Sequence, residues 1–146
     1  MKSLFSLLVV FVIVSGSTWA NRLETAEQKA RTEHKLILLN FSGSDWCGPC
    51  IRMTKEVLEN EVFQKYLNAN LLFINADFPR LKKHQLAEDL KKENEELAEK
   101  YNSDGTFPCT LLIDSSGKVI EKWKGFYAKG AEAFADEVKS LVEKNR

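Results

Sequence analysis

The chain has 146 residues, enough for one domain, and 44% of them are hydrophobic, an ordinary share for a globular core. Its 21 basic and 21 acidic residues cancel and fall in mixed-sign stretches. That balance gives no electrostatic basis for binding nucleic acid or an anionic membrane surface.

Residues 1–20 differ in kind from the rest. Lys2 precedes an apolar run, Leu4 to Val14, broken only by Ser6, and the small residues of Ser15 to Ala20 follow. The run is about half the roughly 20 residues a membrane-spanning helix needs. This pattern predicts a signal peptide over 1–20, with Thr18 and Ala20 at the −3 and −1 positions of a cut before Asn21, and a mature domain over 21–146. An uncleaved N-terminal anchor is the alternative, and membrane contact would then run through it.

From Leu23 to about His34, Leu23, Ala26 and Ala30 recur at helical spacing. Leu36 to Phe41 is an apolar run of strand length, suited to a strand buried on both faces. Ser42 to Asp45 reads as a turn, and a helix is expected from Cys47 to Leu58, interrupted near Asn60. A short helical segment through Val62, Phe63, Tyr66 and Leu67 follows. Leu71 to Ala76 reads as a second buried strand closed by Asp77. Arg80 to Tyr101 reads as charged helix, in one piece or two, with Leu81, Leu86, Leu90 and Leu97 as apolar markers. Thr110–Asp114 and Val119–Trp123 are expected to form a hairpin, and a last helix carries Ala131, Phe134, Val138 and Leu141.

The chemistry concentrates in Trp46-Cys47-Gly48-Pro49-Cys50. Two cysteines at this spacing can close a small disulfide ring at a helix start. There the first thiol meets unpaired backbone N–H groups and the positive end of the helix dipole, which favour the reactive thiolate. Proline in the first turn costs no hydrogen bond. Half of a zinc site is the other use of such a pair, but no second ligand pair stands at suitable spacing. The remaining cysteine, Cys109, reads as a small buried strand residue. His34 and His84 lack ligand spacing and are expected at the surface.

The Trp46–Cys50 pentapeptide is identical to the active-site motif of thioredoxins, so the chain resembles the thioredoxin superfamily, in particular its exported bacterial members. The resemblance covers about Leu36 to Leu141. It implies an α/β thioredoxin fold: a β-α-β unit, then β-β-α, forming a central mixed sheet flanked by helices. It also implies a thiol–disulfide oxidoreductase in which Cys47 attacks and Cys50 resolves, with no cofactor and no metal. Phe107-Pro108 matches the family's cis-proline site, where the Phe107 backbone would pair with an extended substrate and Trp46 would wall the groove. Partners would be disulfide-containing exported proteins and a redox protein supplying electrons, in the periplasm or another extracytoplasmic space. In an oxidising space, a pair without such a donor works as an oxidant or isomerase.

Two departures from the family pattern stand out. Where many thioredoxins bury an aspartate, with a lysine nearby on the next strand, the matching positions are Asn40 and Phe73. Asn cannot accept a proton as a carboxylate does. Deprotonation of Cys50 would fall to water, to an exposed Asp45, or to the leaving thiolate of the substrate. The second departure is a helical insertion, about Phe78 to Glu93, before the cis-proline. It is expected to cap the sheet as a solvated mixed-charge helix, with a partner-specific surface as the alternative. Competing functions are a metal-binding module built on Cys47, Cys50 and Cys109, and a non-catalytic interaction module.

Overall fold

A computed structural model describes residues 21–145, so the expected signal segment lies outside the described residues. Four strands form one sheet in the order β2-β1-β3-β4: β1 (Leu36–Ser42), β2 (Leu71–Asp77), β3 (Cys109–Ile113) and β4 (Val119–Lys124). β1 pairs parallel with β2 and antiparallel with β3, and β3 pairs antiparallel with β4. This is the mixed sheet of a β-α-β unit joined to a β-β-α unit.

Every residue of β1 is buried, Asn40 and Ser42 included, as a mostly apolar central strand covered on both faces requires. β2 carries a similar run but departs from the buried strand expected for it. It is a sheet edge, and Phe73 there is 43% exposed. Composition does not distinguish a central strand from an edge strand. The difference comes from which neighbours pair.

Helices cover both faces. α1 (Arg22–Glu33) opens on Asn21, whose side chain accepts the Glu24 N–H, and closes on His34 in the left-handed conformation. With α4 (Glu88–Tyr101) it covers Ile37, Leu39, Phe41, Cys109, Leu111 and Ile113 on one face. On the other face, Leu36, Leu38 and Leu112 pack under α3 (Glu61–Asn70) and α5 (Ala131–Asn145). Phe134 is fully buried there among Phe63, Trp123 and Tyr127, each ring 5.0 Å from its own. A buried side chain of this size contributes about 3 kcal/mol by transfer from water.

The helix after the motif departs from a regular one. α2 (Gly48–Arg52) passes at Met53–Leu58 into a wider π-helical stretch, closed by the Glu59 N–H to the Thr54 carbonyl at 2.7 Å. That stretch buries Met53, Val57 and Leu58 against the α3/α5 side of the sheet.

The insertion also differs from expectation. Residues 78–87 form a non-helical strap with a single 3-10 turn, Lys82–His84, and the helix starts only at Glu88. Pro79 accounts for part of this, since the residue before a proline is steered away from helical backbone. Leu81 is 47% exposed, and of the four apolar markers only Leu97 is buried.

Candidate functional site

The site lies at the end of β1, where the chain turns through Gly43–Trp46 into α2. The Cys47 and Trp46 N–H groups both donate to the Gly43 carbonyl, at 2.9 and 3.3 Å. Asp77 at the end of β2 ties this turn down. Its carboxylate accepts the Ser44 N–H at 2.9 Å and the hydroxyls of Ser44 and Ser42 at 2.6 and 3.1 Å. Asn94, buried in α4, donates to the Asp77 carbonyl at 2.8 Å and accepts from Arg22.

Cys47 is the N-cap of α2, and its sulfur accepts the Cys50 N–H at 3.2 Å. The two cysteines are joined in a disulfide, their Cα atoms 5.2 Å apart. Cys47 is 5% exposed and Cys50 1%, while Gly48 and Pro49 between them face solvent.

Trp46 is fixed from several directions. Its indole N–H donates to the Phe78 carbonyl at 2.7 Å. The Arg80 guanidinium lies over its ring at 3.7 Å, and the Phe107 ring meets it edge-on at 5.6 Å. Gly43 makes room for the indole: a Cβ at that position would stand 2.3 Å from Trp46 Cε2. Phe107 also contacts Phe78 at 5.5 Å, so strap, motif and the segment before β3 share one aromatic cluster. The Phe107–Pro108 peptide bond is cis, the conformation the resemblance implied. Among the described residues, the Phe107 N–H and C=O have no hydrogen-bond partner.

Asp45 is not the exposed carboxylate expected from the sequence. Its side chain is 4% exposed and accepts the N–H groups of Arg80 at 2.9 Å and Leu81 at 3.0 Å. His84 Nδ1 stands 3.0 Å from the second oxygen. The Arg80 N–H, then the Leu81 N–H and His84, hold the Asp45 carboxyl below its ordinary pKa, against the opposing effect of burial. Both oxygens are occupied, so Asp45 clamps the strap onto the motif and is poorly placed to take a proton. His84 belongs to that clamp from a 3-10 turn, while His34 is exposed at the end of α1.

Asn40 is buried and neutral. It donates to Asn75 Oδ1 at 2.8 Å and accepts the Thr110 hydroxyl at 2.9 Å, a closed polar cluster with no carboxylate. Phe73 pairs with Leu38 across the strands and projects at the open edge of β2. Cys109 is fully buried in the α1/α4 cluster, whereas the helix bearing Cys50 continues into the cluster on the opposite face. Burial pushes the Cys109 thiol pKa up. The three cysteines therefore do not converge, and no group of three or more His, Cys, Asp or Glu among the described residues is placed to hold a metal ion.

Gly43, Asp77, Arg80, His84 and Asn94 carry site roles that the sequence did not signal. Pro79 was a local signal that the strap is not helical. The other contacts join distant segments and leave no periodic trace.

Comparison with known proteins agrees with this geometry. A family model described as a thioredoxin-like domain matches residues 23–141. The disulfide bond reductase DsbH of Chlamydia pneumoniae is 35% identical over 132 residues, covering 90% of this chain and 76% of that protein. The thioredoxin-related protein DsbJ of Chlamydia pneumoniae is 28% identical over 125 residues, 86% of this chain but 35% of that longer protein. A solved DsbH oxidoreductase structure superposes with a TM-score of 0.73 at 33% identity, covering 81% of this chain and 79% of that one.

Proposed function

The chain belongs to the thioredoxin-like family, and we propose that this thiol–disulfide oxidoreductase is an exported reductase of protein disulfides. Cys47 and Cys50 cycle between dithiol and disulfide. The Cys47 thiolate attacks one sulfur of a substrate disulfide, forming a mixed disulfide and releasing the first substrate thiolate. The Cys50 thiolate then attacks the Cys47 sulfur, closes the Cys47–Cys50 bond and releases the second. Two electrons pass to the substrate, and the two protons leave the enzyme thiols for the released thiolates. A donor dithiol must then reduce the pair again.

The observation that carries this reading is the Cys47–Cys50 disulfide on the first turn of α2, with Cys47 capping that turn. Backbone N–H groups at a helix start favour Cys47 as the thiolate, while Cys50 lies deeper and suits the resolving role. Gly48 and Pro49 give the turn its shape, and Trp46 forms one wall of the groove. The free backbone groups of Phe107, ahead of cis-Pro108, are suited to pairing with an extended substrate segment. With Asp45 occupied and Asn40 neutral, the Cys50 proton goes to water or to the leaving substrate thiolate.

The Gly-Pro dipeptide is that of reducing thioredoxins, whose potential lies near about −270 mV. The signal-like segment at 1–20 supports action outside the cytoplasm, periplasmic or secreted, on disulfides of exported proteins. No helix among the described residues is long and apolar enough to cross a membrane. Redox titration against dithiothreitol or glutathione tests the direction. A potential near that of thioredoxin is expected, and one near the strong oxidants, about −120 mV, would overturn the reductase assignment.

A further inference from the structure

Arg80 stands apart from the other arginines of the described chain. Arg22 pairs with Glu93, Arg31 with Glu27 and Arg52 with Glu56. The Arg80 guanidinium has no carboxylate within ion-pair distance and no hydrogen-bond acceptor among the described residues, although its backbone N–H is held by Asp45. It lies instead over the Trp46 ring, at 3.7 Å. The strap beneath it is pinned by the Asp45 clamp and by the Trp46 N–H to the Phe78 carbonyl. Arg80 is exposed and borders a cavity of about 330 Å3 that also touches Trp46, Phe78, Gln85 and Leu86. Asp77, Glu95 and Lys91 face the same cavity: the Asp77 carboxylate is taken up by Ser42 and Ser44, Glu95 stands beyond ion-pair distance of Arg80, and Lys91 lies 3.9 Å from Glu88.

A stacked guanidinium keeps its in-plane N–H groups available, and those groups match a carboxylate in geometry. Because stacking already restricts the side chain, binding a carboxylate there costs little further ordering. The residue it stacks on is adjacent to Cys47. We propose that Arg80 is a specificity-determining residue, selecting peptide disulfides that carry an aspartate or glutamate beside the reacting cysteine. This rests on the reductase reading above and gives the strap a function beyond capping the sheet.

The test uses three peptide disulfides identical except that both residues flanking the cysteine are Glu, Gln or Lys. Each is reduced in a single turnover by the dithiol form of the protein, and rates are expressed relative to the Gln peptide. That normalisation separates a loss of selectivity from a general loss of activity. The protein should reduce the Glu peptide about tenfold faster than the Lys peptide at low salt, with the ratio shrinking as salt is added. Arg80→Gln should bring the ratio to within about twofold, Arg80→Glu should invert it, and Arg80→Lys should retain part of it. Equal rates on all three peptides, or an unchanged ratio in Arg80→Gln, would overturn this inference alone. Failure to reduce any of the three would overturn the reductase reading and this inference with it.

Discussion

Cys50 and Cys109 are almost equally buried, 1% and 0% exposed, yet they sit in opposite chemical settings. Cys50 lies in the first turn of a helix, donates its own N–H to the Cys47 sulfur and shares a disulfide with it. Cys109 opens β3 directly after Pro108, in a cluster with Phe41, Leu97, Leu111 and other apolar side chains, where burial raises its pKa and it stands as a free thiol. Burial alone therefore does not decide the reactivity of a cysteine. What decides it is whether backbone donors and a second sulfur meet the thiol at a place a substrate can reach.

The largest expected effect separates the two settings directly. Cys47→Ser should lower insulin-disulfide reduction by at least about a thousandfold, whereas Cys109→Ser should leave the rate within about twofold. Comparable losses in the two variants would collapse the distinction. Chemical labelling sharpens it further. In the reduced native protein, iodoacetamide should modify Cys47 on the order of a hundredfold faster than Cys109, and unfolding should erase the difference.

Next in size is Gly43→Ala. The added methyl meets the indole of Trp46, so packing strain of about 1–3 kcal/mol is expected, with a shifted tryptophan emission and a loss of rate. An unchanged emission spectrum and rate would show that the position of Trp46 does not govern the site. The strap gives a smaller effect, read by hydrogen exchange over residues 78–87. Asp45 has a lowered pKa in the folded protein, so its hold on the strap is complete above the ordinary carboxylate range. It is lost as the pH falls through the lowered folded value. Protection should therefore be flat from neutral pH to about pH 4 and fall below that, and Asp45→Asn should weaken it at every pH. The smallest effect is Cys109→Ala, expected to cost about 1 kcal/mol in denaturant unfolding, as deletion of one buried sulfur implies.

The strands were legible because their signal is local. Leu36 to Phe41 is apolar but for Asn40, and β1 extends one residue further, where Ser42 pairs with Asp77 of β2. The helix start at Cys47 was legible from Gly48-Pro49, and the cis bond at Pro108 only through resemblance. The π-helical turn at Met53–Leu58, which buries Met53 and Val57, left no mark in the sequence. The edge position of β2 was also hidden, because pairing partners are not written in a strand's own residues. Asp45 was misread since its partners, the N–H groups of Arg80 and Leu81, lie 35 and 36 residues away. A carboxylate in a turn looks solvated until the segment that covers it is placed.

The proposed cycle depends on the order of events at the Cys47 and Cys50 sulfurs, and trapping the intermediate tests it most directly. In the proposed cycle Cys50 is the resolving thiol, so a peptide disulfide offered to the reduced Cys50→Ala variant should remain attached through a mixed disulfide. Peptide mapping by mass spectrometry should place that adduct on Cys47. An adduct on Cys109, or no adduct while reduction proceeds, would contradict the account.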